Sequence, residues 1–191
     1  MNIKALIGAA ALFLAARASA AQDDCARALK AWESAGSYQC VYRAFTSHEK
    51  KRSESLMLYS YEKPGKIRMD IEKPRKGAVL IYNPEISKKV KVRPFPNLPF
   101  FVLNYGLTDS RVSSDSGGTV ESSDLGSRMR SVCGEPPDQG PGKTNTRCTF
   151  SAEGFLTKIE TTDGKGGLAE SYEWKDLKVN VKFKPDFFTK F

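Results

Sequence analysis

The chain has one histidine, His48, and two tryptophans among its 191 residues. A lone imidazole leaves no His pair for zinc, and no Cys-x-x-Cys is present to replace it. There is no G-x-S-x-G elbow, no H-E-x-x-H pair and no G-x-x-x-x-G-K-[ST] phosphate loop, for Gly142-Lys143-Thr144 has Pro137 where that pattern needs its first glycine. His48 stands in a charged run, Ser47 to Ser55, which reads as a hairpin loop and suits a bystander better than a general base. Asp109, Asp115, Glu121 and Asp124 do not have the spacing of an EF-hand and read as caps and solvated loop residues. No catalytic residue, cofactor or metal is therefore expected. Beyond the N-terminus, no apolar run is long enough to cross a bilayer.

The first twenty residues have another use. Lys4 supplies a basic start, Ala5 to Ala16 an apolar stretch, and Ala18-Ser19-Ala20 a small-residue cleavage site. Residues 1–20 are expected to be a cleaved signal peptide, and 21–191 a single exported domain. Ala21-Gln22-Asp23-Asp24 does not resemble the small, apolar residues that precede a lipid-anchored cysteine, so the mature chain is expected to be soluble. The formal net charge is +8, and cleavage would remove Lys4 and Arg17. Export argues against nucleic acid as the partner. Two readings of the remaining basic surface stand side by side: plain solvation, or attraction to anionic lipid headgroups.

Four cysteines follow the cleavage site: Cys25, Cys40, Cys133 and Cys148. An even number in an oxidising compartment suggests disulfides, with three possible pairings. The preferred pairs are Cys25–Cys40 and Cys133–Cys148. Each closes a loop of about 15 residues, worth roughly 3 kcal/mol in the chain-entropy model.

The most informative stretch is Leu56 to Val92. Three turn signals, Lys63-Pro64-Gly65, Pro74-Arg75-Lys76-Gly77 and Asn83-Pro84-Glu85, cut it into four runs. Ile67, Met69 and Ile71 alternate with Lys66, Arg68, Asp70 and Glu72. Met57, Tyr59 and Tyr61 share a face, as do Val90 and Val92. Period-2 alternation of this kind predicts an antiparallel meander with one apolar face. A short helix precedes it, with Cys25, Ala28, Leu29 and Trp32 on one stripe, ending at Gly36. Ser37 to Thr46 reads as the first strand.

Prolines 94, 96 and 99 argue against a central strand in Pro94 to Leu107, which is predicted to be an irregular entry and a short element lying across the sheet. Ser122 or Ser123 is predicted to cap a second helix carrying Leu125, Met129 and Val132, with Arg128 and Arg130 facing out. Gly134 to Lys143 reads as a surface loop. Arg147 to Thr161 reads as a hairpin, and strands follow at Leu168 to Lys175 and from Leu177 to Lys184. About nine or ten sequential strands must curl or close. A curled sheet covered by two helices would hold a cavity.

At the central stretch the chain resembles the periplasmic lipoprotein-carrier (LolA/LolB-like) superfamily. The resemblance rests on Trp32, Tyr38, Tyr61-Glu62-Lys63-Pro64, Ile67-Arg68-Met69 and Gly77 to Pro84. It extends through Ile159-Glu160 and Tyr172-Glu173-Trp174 to Phe187-Phe188. It implies a mainly β (α+β) fold: a highly curved antiparallel half-barrel of about 9–11 strands, lidded by short helices over an apolar cavity. It also implies a non-enzymatic, monomeric periplasmic carrier of lipoprotein acyl chains or another lipid, with an inner-membrane donor and an outer-membrane acceptor. The implied wall residues are Tyr59, Tyr61, Ile67, Met69, Ile71, Ile81, Phe100, Phe101 and Leu103. Lys63 stands where the carrier typically has an arginine that holds the lid, and Lys63 and Arg68 are the expected lid or partner contacts. An aromatic residue after the proline is replaced by Ile67. The superfamily also includes envelope-stress sensors, so a protein-binding module on the same fold is the alternative.

Overall fold

The computed structural model describes residues 23–48, 51–113, 118–134 and 144–191. The expected signal peptide, residues 1–20, and most of the expected Pro/Gly-rich loop lie outside the described residues. Helix α1 spans 23–34. It leads into β1 (Ser37–His48), β2 (Lys51–Glu62), β3 (Lys66–Lys73), β4 (Ala78–Tyr82), β5 (Lys89–Arg93) and β6 (Leu103–Gly106). A 3-10 turn (Glu121–Ser123) and helix α2 (Leu125–Gly134) follow, then β7 (Asn145–Phe150), β8 (Leu156–Thr162) and β9 (Leu168–Val179). All nine strands form one antiparallel sheet in the order β6-β5-β4-β3-β2-β1-β9-β8-β7. The sheet curls but does not close, and α1 and α2 lie on its concave side.

The expected meander is present, strand for strand. Tyr61 stands opposite Ile67, Tyr59 opposite Met69 and Met57 opposite Ile71. Ile67 and Met69 in turn face Tyr82 and Leu80. Alternation thus places one apolar row per strand on the same face. The charged segment from Ser47 is not a loop but the far end of a long hairpin, with Ser47 opposite Arg52 and Phe45 opposite Glu54. Exposed polar residues suit both faces of a ribbon that extends beyond its neighbours. Pro94 to Leu107 does not lie across the sheet: its last residues form edge strand β6, with Val92 opposite Leu103. The two strands expected after Leu168 are one, running to Val179 through Asp176 at φ 53°.

Asp124, not Ser122 or Ser123, caps α2. Its Oδ1 accepts from Ser127 N at 3.0 Å, and its Oδ2 accepts from Ser127 Oγ. Arg128 does not face solvent freely, for its guanidinium lies 4.9 Å over the Tyr172 ring.

The disulfide pairing differs from expectation. Cys25 on α1 is bonded to Cys133 on α2, with Cα atoms 5.5 Å apart, while Cys40 and Cys148 are free. Cys148 faces Ile159, Ile159 faces Tyr172, and Tyr172 faces Ala44 on β1. Three strand spacings, about 14 Å, separate Cys148 from β1, and a disulfide needs Cα atoms within about 7 Å. Local spacing favoured short loops; packing of the two helices brings together cysteines 108 residues apart. Peptide mapping without reduction is expected to recover Cys25 joined to Cys133. Cys133→Ser should lower the unfolding free energy by about 2–5 kcal/mol. A Cys25–Cys40 peptide would refute the assignment.

Candidate functional site

The concave face begins with tyrosines. Tyr38 and Tyr42 on β1 sit beside Tyr59 and Tyr61 on β2, because Tyr38 pairs with Tyr61 and Cys40 with Tyr59. Tyr42 pairs with Trp174 on β9. Trp32 descends from α1 onto this row. Its ring centroid lies 5.3 Å from Tyr61 and 5.9 Å from Tyr38. The contacts continue from Tyr38 to Tyr59 (5.8 Å), Tyr59 to Tyr42 (5.9 Å) and Tyr42 to Trp174 (5.5 Å). Offset and edge-on aromatic contacts of this kind add to area burial. Six rings therefore run without a break from the lid into β9. Leu125 and Met129 of α2 are completely buried in the same cluster.

The rings are apolar, but their hydroxyls must find partners when buried. Tyr38 and Tyr59 of the row, and Tyr82 beside it, find them on the lid. Tyr38 Oη accepts from Leu125 N at 2.9 Å, at the start of α2. Tyr59 Oη bonds Ser123 Oγ at 2.9 Å. Tyr82 Oη donates to Glu121 Oε1 at 2.8 Å. Three sheet tyrosines thus act as posts under the segment 121–125. Lys63 acts on the other helix. Its Nζ donates to the carbonyls of Trp32 (2.9 Å) and Glu33 (3.0 Å), in the last turn of α1, and lies 5.1 Å from the Trp32 ring centroid. The last carbonyls of a helix lack backbone partners and carry partial negative charge, so an ammonium there is doubly favoured.

Between the 63–65 turn, Pro84 and α2 lies a pocket of about 340 Å³ with a polar mouth of Glu121, Asp124, Ser127 and Arg130. The concave face itself is filled by side chains. Among the described residues, no group of three His, Cys, Asp or Glu is arranged to hold a metal ion, and no helix is long and apolar enough to cross a membrane.

Of the residues singled out from sequence, Tyr59, Tyr61, Ile67 and Met69 are buried on the concave face, and Ile71 packs against them. Leu103 lies on edge strand β6 opposite Val92, which packs on the same cluster. Ile81 is buried on the other face. It stands opposite Arg68 and shares a small crevice with Phe188. Arg68 also points away from the helices. It pairs with Asp70 at 3.0 Å, donates to the carbonyls of Phe187 (3.1 Å) and Lys190 (2.9 Å), and stacks on Phe187. It therefore straps the C-terminal segment across the convex face. Phe100 and Phe101 are exposed in the β5–β6 connection rather than laid across the concave face. Tyr38, Tyr82 and Glu121 carry lid contacts that sequence reading did not assign. Gly126 was missed as well. A Cβ there would fall 2.1 Å from Trp32 Cε2, so only glycine lets α2 meet the indole.

By sequence, no family model and no curated protein matches the chain. By structure, it is similar to an uncharacterized conserved protein from Thermus thermophilus, at 13% identity and a TM-score of 0.50 over 90% of this chain and 94% of that one. It is also similar to a DUF1329 family protein from Desulfovibrio piger, at 10% identity and a TM-score of 0.51 over 89% and 96% of the two chains. A LolA superfamily protein from Nitrosomonas europaea matches at 10% identity, with a TM-score of 0.46 over 88% and 97%. The likeness is one of fold.

Burial pushes the phenols of Tyr38, Tyr42 and Tyr59 well above their ordinary range. Burial first, then the Glu121 carboxylate, raises Tyr82 to about 12; burial, then Asp124, raises Tyr61 to about 12. The folded state holds these protons more tightly than the unfolded chain, whose tyrosines titrate near pH 10. Their contribution is whole below about pH 10 and is lost as pH rises through the raised values. Burial also raises the free Cys40 thiol, which titrates near 8.5 in the unfolded chain, so urea midpoints are expected to hold steady to about pH 8, to slip as Cys40 ionises on unfolding, and to fall more steeply above about pH 10.5. A midpoint flat to about pH 12 would mean that the phenols are not buried.

Gly126→Ala is expected to push Trp32 off its seat and cost at least about 1–3 kcal/mol. Chemical denaturation with Trp emission reports both effects; an unchanged spectrum and midpoint would refute the close approach.

Proposed function

We propose that this protein is a periplasmic, non-enzymatic carrier that takes lipoprotein acyl chains or another lipid onto the concave face of its sheet, beneath the two-helix lid. The observation that carries the proposal is the way the lid is attached. Cys25–Cys133 joins α1 to α2, so the helices form one unit. That unit meets the sheet through packed rings, three tyrosine hydroxyls and one lysine. Hydrogen bonds to hydroxyls exchange readily for bonds to a lipid ester or headgroup, so lifting the lid leaves no phenol without a partner. The apolar surface beneath would then bury methylenes at about 0.8 kcal/mol each. Met69 and Met129, both in the cluster, supply adaptable walls. The carriers of the resembled superfamily hand such cargo from an inner-membrane donor to an outer-membrane acceptor, and that route is proposed here.

One observation favours a second reading. The concave face is filled, and a filled core suits a sensor that binds a protein with its outer surface. Native mass spectrometry with organic extraction, on protein purified from an envelope fraction, separates the two. The carrier is expected to retain lipid near one-to-one or to take up added lysophospholipid with a change in Trp32 emission. Lys63→Met, which frees the last turn of α1, should speed that uptake. Protein that is bare and refuses lipid in both forms would overturn the carrier reading in favour of the sensor.

A further inference from the structure

The β5–β6 connection lies at the end of the sheet away from Lys63 and the polar pocket. Strand direction decides this: β3 and β5 both run away from the 63–65 turn, so the β3–β4 turn and the β5–β6 connection emerge together at the far end. The connection is apolar and exposed. Phe100 is 98% exposed, Leu98 54%, Phe101 46% and Phe95 45%. It is also ordered by its own backbone. Leu98 N donates to Phe95 O and Phe101 N donates to Leu98 O, giving two successive turns. Pro94, Pro96 and Pro99 restrict φ between them. Phe95 and Phe101 meet with ring centroids 6.0 Å apart. The apolar side chains are therefore held outward at a low cost in conformational freedom.

Next to this tip the surface is basic. Gly77, at φ 82°, approaches so closely that a Cβ would lie 2.9 Å from Pro96 Cγ. That contact seats the tip against the β3–β4 turn, whose Lys73, Arg75 and Lys76 are all exposed. Lys73 meets Glu54 at 3.3 Å and Lys76 meets Glu72 at 3.4 Å, but these side chains are about half exposed or more and such pairs are weak.

Exposed Phe and Leu side chains are buried at the boundary between headgroups and acyl chains, and adjacent cations are drawn to anionic headgroups. Both requirements meet at one end of the molecule. We propose that the β5–β6 tip docks the protein on an anionic lipid surface, with Leu98 and Phe100 inserted and the Lys73–Lys76 turn lying on the headgroups. This goes beyond the carrier reading and does not need the lid to open. It also chooses between the two readings of the basic surface left open by the sequence.

The test is vesicle flotation of the mature chain with phosphatidylcholine alone and with about one-third phosphatidylglycerol. Binding is expected with the anionic vesicles and should weaken with salt. Leu98→Ser with Phe100→Ser should reduce partitioning by about tenfold or more. Arg75→Gln with Lys76→Gln should reduce it roughly fivefold per charge. Phe100→Trp, at a fully exposed position, should blue-shift on anionic vesicles relative to the unaltered protein. Ile86→Ser, an exposed apolar change at the opposite end, should leave binding unchanged. The proposal is overturned by equal binding of the Leu98/Phe100 double variant, or by no binding to either vesicle. It is also overturned if sedimentation shows that the tip joins copies of the chain instead. Flotation reports the tip and extraction reports the concave face, so either reading can fail while the other stands.

Discussion

The Trp32 indole rests on Tyr38 and Tyr61 and leaves no room for a side chain at position 126 of α2. Both helices take their place from this contact. It fixes the C-terminal end of α1, where Lys63 gathers the last carbonyls, and it fixes the start of α2, where Tyr38 and Asp124 satisfy the first amides. At the other end of α1, Cys25 is two helical turns away and tied to Cys133. The two helices are joined to each other at two separated points, so neither can pivot on the other. Movement of the lid must be movement of both helices, and it must part Trp32 from the tyrosine row.

The two faces of the sheet are covered by different means. On the concave side the cover is helical, cross-linked and bonded through hydroxyls. On the convex side it is the C-terminal segment, where Phe183, Phe187 and Phe188 pack on one another and Arg68 grips two backbone carbonyls. A guanidinium whose Nε and Nη2 pair with Asp70 while Nη1 donates to two main-chain carbonyls is rigid, and its fork holds the carboxylate and the carbonyls at once. The convex cover therefore braces the sheet while the concave cover has partners to exchange.

The central meander was legible because its two faces differ in chemistry. Ile67, Met69 and Ile71 alternate with charge, and register followed from the turn residues. Strand β4 was less transparent. Ala78 to Tyr82 is buried on both faces, so alternation could not tell Leu80, which faces the lid, from Ile81, which faces the C-terminal strap. Arg68 misled for the same reason, since its partner lies more than a hundred residues on. The cysteine pairing depends on how two helices pack, and no spacing rule contains that. Gly126 carries no signal at all in a single sequence; its meaning appears only when an indole lies against it.

The order in which the cysteines are synthesised has a consequence for how the protein is made. Cys25 and Cys40 emerge first, fifteen residues apart, well before Cys133. In an oxidising compartment, oxidation in order of appearance joins the first two, and that pair would pull Cys40 out of β1, where it lies buried among tyrosines. The native bond then forms only by exchange, with the Cys133 thiolate displacing Cys40. In such a compartment, maturation of this chain would depend on a thiol–disulfide isomerase activity, or on β1 folding soon enough to hide Cys40 from oxidants. Where exchange is the route, the free Cys40 of the finished protein is its leaving group.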